Sequence, residues 1–148
     1  MSWLRPVFLF VVASPIGQLG CLTGALCTAD TDCVEDHECT RTGECVPAGT
    51  AIRVVVRWTV NGQAPSPMRP EPCEPIGELE VVFHDGSLQP QNYRPVPCNF
   101  GRTVYDKMPS RFDSVEVIAY DPADRFLDAA EEMLARSGET DIEVDLTP

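Results

Sequence analysis

Apolar and polar residues alternate along several stretches of the chain, and this period of two predicts β-strands. In residues 52–60 five apolar side chains fall on one face of an extended strand, with Trp58 among them. The other stretches with this alternation are residues 78–84, 112–120 and 140–146, and a short strand is expected around residues 102–106. Turn signals separate the strands at intervals of about ten residues, so we expect a mainly β fold, a small sandwich of about seven strands.

Two stretches between these strands are rich in proline. Residues 64–75 contain five prolines, and residues 89–97 are interrupted by proline again. Proline has no N–H to donate to a sheet, so we predict that both stretches are surface loops. They carry Cys73 and Cys98 to the strands that follow.

Residues 123–136 fit two alternatives. Asp121 and Pro122 provide an N-cap and a proline at the first helical position, and Gly138 provides a stop after a run of strong helix formers. This pattern predicts a helix whose apolar face, which includes Phe126 and Met133, packs on the core. The second alternative is a turn followed by another sandwich strand.

The first 20 residues predict a secretion signal. Arg5 precedes an apolar run of seven residues, and helix breakers and small residues follow it. This run is too short to cross a bilayer, which takes about 20 residues. The expected division is a signal peptide (1–20), a lipid-anchor tether with a cysteine-rich segment (21–50) and a β-sandwich domain (51–148).

The sequence Gln18-Leu19-Gly20-Cys21 resembles the lipobox of bacterial lipoproteins. This resemblance implies a lipid on Cys21, and Leu22 after it implies transfer to the outer membrane. The alternative is an ordinary secretion signal cut elsewhere, with Cys21 in a disulfide. The seven cysteines favour lipidation, because it leaves an even set of six for three disulfides. We therefore expect an exported protein of the cell envelope, facing the periplasm or the surface.

The first four of those six cysteines recur every six residues. They are Cys27, Cys33, Cys39 and Cys45. Almost no apolar side chains lie between them, so sulfur has to hold this segment together. The spacing does not suit a zinc site, and residues 30–41 lack the glycine and glutamate of an EF-hand loop. We expect no metal and no cofactor, and the sequence leaves three disulfide pairings open.

Resemblances to two known families imply particular disulfide pairings. Asp32-Cys33 and Gly43-Glu44-Cys45 make the segment resemble the cysteine-rich repeat of Dickkopf-type proteins and of many exported bacterial proteins, which implies Cys27 with Cys39 and Cys33 with Cys45. Residues 51–148 resemble the transthyretin-like and carboxypeptidase-regulatory-like sandwich domains of bacterial lipoproteins. The residues behind this second resemblance are Val56-Arg-Trp58, Pro97-Cys98 and the run 108–121, and it implies a bridge from Cys73 to Cys98.

The chain is strongly acidic, with 23 acidic and 11 basic residues and a net charge of −12. Such a surface repels polyanions, and no basic stripe with interleaved aromatics offsets it, so nucleic acid is not an expected partner. Eleven of the acids fall between Asp113 and Asp145. They indicate a solvated face, or attraction for cationic ligands and divalent ions.

No motif predicts catalysis. The two histidines, His37 and His84, have no catalytic partner in the sequence, and no nucleophile elbow, zinc helix or phosphate loop is found. We therefore expect a non-catalytic lipoprotein that attaches to the membrane through its lipid and binds a protein or glycan partner. Tyr93 and Phe100, placed in loops, are the candidate sugar-stacking residues. A protease inhibitor presenting Arg41 in the loop 40–44 is the alternative.

Overall fold

The structure, a computed structural model, describes residues 26–87, 89–135 and 137–148. The expected signal peptide and Cys21 lie outside the described residues. None of the helices in the described ranges has the length and apolarity needed to cross a bilayer.

Nine strands and three short 3-10 helices account for the regular structure of the described residues. The strands are β1 (His37–Cys39), β2 (Cys45–Pro47), β3 (Ile52–Val60), β4 (Glu78–His84), β5 (Gln91–Val96), β6 (Arg102–Met108), β7 (Ser114–Tyr120), β8 (Phe126–Met133) and β9 (Glu139–Leu146). The 3-10 helices are Asp30–Asp32, Glu71–Cys73 and Cys98–Phe100.

Seven of the strands form two sheets with the orders β6-β3-β9 and β5-β4-β7-β8. Their neighbours are antiparallel, except that β9 runs parallel to β3 from Arg53 opposite Glu139 to Val60 opposite Leu146. Inward-facing residues of both sheets form one core around Trp58, Phe83 and Phe112. The predicted mainly β, seven-stranded sandwich is confirmed. Strands β5 and β6 are edges of opposite sheets and face each other.

One of the two proline-rich stretches is a strand, and the prediction of a loop there was wrong. Residues Gln91–Val96 form β5, which pairs with β4 through Leu79 opposite Val96 and Val81 opposite Tyr93, with an irregularity between them. Because β5 lies at the edge of its sheet, only one of its sides pairs with another of the described strands. The unpaired side needs no N–H donor, so a proline is tolerated there.

The helix considered for residues 123–136 does not form either. Residues Phe126–Met133 are strand β8, and Phe126 and Met133 are 64% and 69% exposed, so they are not the core face that the helix would need. Asp121 accepts hydrogen bonds from the backbone N–H groups of Ala123 and Arg125, which fixes a tight turn after β7. This turn returns the chain antiparallel to β7, so sheet pairing overrides helix propensity.

Three disulfides hold the fold, and they are the pairs that the family resemblances imply. Cys27 bonds Cys39 and Cys33 bonds Cys45 in the cysteine-rich segment, while Cys73 joins Cys98 beside the core. The sulfur atoms of Cys27, Cys33 and Cys45 lie within 4.8 Å of one another because the first two bridges stack side by side.

Candidate functional site

A cleft of about 460 Å³ lies where the cysteine-rich segment meets the facing edges β5 and β6. Its size is within the range typical of ligand pockets, about 300–1,000 Å³. It brings together all three of the binding residues considered from the sequence: Arg41, Tyr93 and Phe100. Other depressions on the surface are of similar volume, and what distinguishes this one is its lining of aromatic and guanidinium groups without any Asp or Glu.

Arg41 enters the cleft from a tight turn of the cysteine-rich segment. Thr40 N–H donates to the Glu44 carbonyl at 2.8 Å, and Gly43 N–H donates back to the Thr40 carbonyl at 3.0 Å. The Arg41 N–H itself donates to the Lys107 carbonyl at the end of β6, at 2.8 Å. These hydrogen bonds fix the backbone of the turn, and the protease-inhibitor alternative stays a prediction.

Two tyrosines form the wall behind Arg41. The Arg41 guanidinium carbon lies 5.3 Å from the Tyr93 ring centroid and 5.4 Å from that of Tyr105, which are cation–π distances. The two rings lie 4.6 Å apart, and both contact Phe83 of the core. Tyr93 belongs to β5, so its placement in a loop was wrong.

The Tyr105 hydroxyl is a buried polar group with no hydrogen-bond partner in the described part of the chain. Burial raises the pKa of Tyr105 to about 12, because the charged phenolate is poorly solvated there. Burial raises the pKa of Tyr93 as well. At neutral pH both phenols are therefore protonated. The Tyr93 hydroxyl donates to Met108 Sδ at 3.7 Å, and the Tyr105 hydroxyl is closed off from the surface. A buried hydroxyl without a partner is unusual in a folded protein.

Phe100 is held at the mouth of the cleft by the core beneath it. It ends the 3-10 helix Cys98–Phe100, which the disulfide to Cys73 secures. Trp58 Nε1–H donates to the Cys98 carbonyl at 2.7 Å. Gly101 then turns the chain into β6 with φ 67°, and a Cβ there would meet the Pro65 carbonyl oxygen at 2.5 Å. The Phe100 side chain is 56% exposed.

Two arginines of the cleft differ from most basic side chains of this acidic protein. Those that form ion pairs with Asp or Glu are Arg53, Arg57, Arg94, Lys107, Arg111 and Arg125. Arg41 and Arg102 have no carboxylate within 4.0 Å among the described residues. The cleft lining itself therefore carries positive charge and no carboxylate, while Asp30, Asp106 and Glu143 line the neighbouring depressions.

Several acidic residues that are prominent in the sequence form hydrogen bonds or ion pairs outside the cleft. Asp30 accepts two hydrogen bonds from Lys107 Nζ, both at 2.7 Å, and Asp32 accepts from the backbone N–H groups of Thr28 and Ala29. In the acidic stretch near the C-terminus, Asp141 pairs with Arg57.

Ion pairs dock the cysteine-rich segment on the sandwich and thereby position Arg41. Arg111 Nη2 lies 2.5 Å from Glu44 Oε1, and the same guanidinium also pairs with Asp85. Hydrogen bonding to Arg111 lowers the pKa of Glu44. The carboxylate therefore contributes to stability fully above the ordinary glutamate pKa of about 4.3, and its contribution is lost as the pH falls through the lower folded-state pKa.

We expect Glu44→Gln to reduce the free energy of unfolding by about 1 kcal/mol or less at pH 7, since the pair is partly exposed. The difference between variant and parent should shrink from pH 7 to pH 3, as Glu44 takes up its proton below the ordinary glutamate range. Urea unfolding at both pH values measures this, with exposed Glu35→Gln as the matched control. A loss that is the same at pH 3 and pH 7 would contradict the role given to the Glu44 charge.

Arg102 is the cleft residue that the sequence reasoning missed. It starts β6 directly after Phe100 and Gly101, and this adjacency to a candidate aromatic was the available signal. Tyr105 is visible in the sequence as an aromatic, but nothing there indicates that its hydroxyl is buried without a partner.

The comparisons with known proteins add no relative to this description. No family model, no curated protein and no solved structure matches the chain. The resemblances to Dickkopf-type repeats and to transthyretin-like domains therefore stay predictions.

Proposed function

We propose that this chain is an exported, non-catalytic binding module of the cell envelope and that its ligand is an anion bound in the cleft between β5 and β6. The observation behind this proposal is the convergence of Arg41, Tyr93, Phe100 and Arg102 on one depression without a carboxylate. These residues come from the cysteine-rich segment, an edge strand, a 3-10 helix and the opposite edge strand. Arginine suits planar oxyanions because its guanidinium can donate two parallel hydrogen bonds.

The net charge of −12 does not oppose binding at short range. At physiological ionic strength the Debye length is about 8 Å, so distant acids are screened while groups in direct contact with the ligand are not. Binding should accordingly be tested near 0.15 M salt.

Retention on an immobilised short anion tests the proposal. We expect the oxidised protein to be retained on a matrix that carries trigalacturonate or triglutamate and to pass through uncharged dextran. Arg41→Ala and Arg102→Ala should each lose retention. Arg69→Ala, which removes an equal charge from an exposed residue outside the cleft, should keep it. Equal retention of all three variants, or no retention of the parent protein, would contradict the proposed binding of an anion in the cleft.

The membrane attachment is proposed as a lipid on Cys21, with the outer membrane as the destination. Three disulfides, which suit an oxidising compartment, support export. The intact mass of the native protein decides the point: we expect a chain beginning at Cys21 that carries acyl groups and has lost six hydrogens to disulfides. An unmodified Cys21 would exclude the lipid anchor.

A further inference from the structure

Resting on the proposed function, we infer that the anion recognised by the cleft is an acidic glycan, a sugar chain bearing carboxylates. The inference rests on what the cleft offers to a ligand: side-chain rings and guanidinium heads, with little backbone to pair with.

The edges beside the cleft are poor templates for an added peptide strand. Strand addition depends on main-chain hydrogen bonds along a free edge. Pro95 and Pro97 line the cleft on the β5 side and have no N–H. At the other side, the carbonyl of Lys107 at the end of β6 already accepts the Arg41 N–H. An extended acidic peptide would therefore find no continuous row of free backbone N–H and C=O groups along either edge.

The side chains suit a ring-shaped ligand better. Phe100 is 56% exposed and can present an apolar ring face to the C–H face of a sugar. Tyr93, half-buried in the wall with the Arg41 guanidinium over its ring, adds aromatic lining behind it. An amphipathic ring with an apolar face and hydroxyl edges matches this cleft, whose lining is about equally polar and apolar.

The polar groups then select for charge. Arg41 and Arg102 stand without carboxylate partners in the described residues, so a carboxylate on the sugar supplies the missing counter-charge. A neutral sugar would leave both guanidinium groups unpaired.

Calorimetric titration with three matched trimers tests the inference: trigalacturonate as the acidic sugar, maltotriose as the neutral sugar and triglutamate as the acidic peptide. We expect trigalacturonate to bind at least about 10-fold more tightly than either of the others, the scale of one charge-assisted hydrogen bond. Arg41→Ala should weaken trigalacturonate binding about 10-fold or more, whereas Arg69→Ala should change it less than about twofold.

The aromatic contribution has its own control. We expect Phe100→Ala to weaken trigalacturonate binding about 2- to 10-fold, the range of one aromatic contact, and to leave triglutamate binding unchanged. Phe126→Ala removes an exposed aromatic from β8, outside the cleft, and should have no effect.

The outcomes separate this inference from the proposed function. Triglutamate and trigalacturonate could bind equally, with both dependent on Arg41. This result would support anion binding in the cleft and contradict the preference for an acidic glycan. Equal binding of maltotriose would overturn the role of charge. Failure of all three trimers to bind would count against both the glycan and the cleft.

Discussion

Replacement of Trp58 by alanine is expected to destabilise the fold by about 3–5 kcal/mol, the usual cost of removing a large buried aromatic. Trp58 is 1% exposed in the core that both sheets share, and its Nε1–H satisfies the Cys98 carbonyl. Since small domains are stable by only about 5–15 kcal/mol, such a loss removes a large part of the total. Urea unfolding of the oxidised protein measures it.

A more conservative variant separates packing from hydrogen bonding. Trp58→Phe keeps an aromatic ring but leaves the Cys98 carbonyl without its donor, so we expect an intermediate loss of about 1–3 kcal/mol. Phe126→Ala on the exposed face of β8 should stay within about 0.5 kcal/mol of the parent. If Trp58→Ala were no more destabilising than Phe126→Ala, Trp58 could not lie in the core.

The second large effect concerns the cysteine-rich segment. Replacing its four cysteines, Cys27, Cys33, Cys39 and Cys45, with serine is expected to unfold residues 26–50 and leave the sandwich folded. The segment has almost no apolar residues of its own, and none of its side chains belongs to the main core cluster, which begins at Ile52. Binding in the cleft should fall at least to the level of Arg41→Ala, because Arg41 loses its anchor at Lys107.

Two readouts are needed for this variant. Fluorescence of the buried Trp58 should keep its native maximum, which reports an intact sandwich. Affinity for the anionic ligand should be lost under the same conditions. Retained affinity would mean that the cysteine-rich segment does not take part in the site, and a shifted fluorescence maximum would mean that the sandwich depends on it for folding.

Strands could be predicted from the sequence where burial of one face imposes an apolar–polar alternation with a period of two. The alternations in β3, β4, β7 and β9 each correspond to a strand whose inward residues are in the core. The sequence was insufficient where partners from elsewhere decide the structure. The prolines of β5 exclude a central strand but are tolerated at an edge, and edge position is a property of the whole sheet. The helix formers of β8 are likewise overruled by pairing with β7.

The parallel pairing of β9 with β3 had no local signal, because a contact between residues more than 80 positions apart depends on topology. The site shows the same limit. Arg41, Tyr93 and Phe100 were separate candidates in the sequence, and only the meeting of edges β5 and β6 under the cysteine-rich segment makes them neighbours. Arg102 gains its significance from lining the cleft without forming an ion pair in the described residues, which composition alone cannot indicate.

The central claim is that this chain binds an anion in the cleft shared by its cysteine-rich segment and its sandwich. Chemical-shift mapping of the isotope-labelled, oxidised protein during titration with trigalacturonate tests it most directly. The predicted result is a cluster of shifted amides at Arg41, at the non-proline residues of 92–97 and in residues 100–105. Shifts confined to the exposed strand β8 or spread over the surface, or no shifts at all, would contradict it.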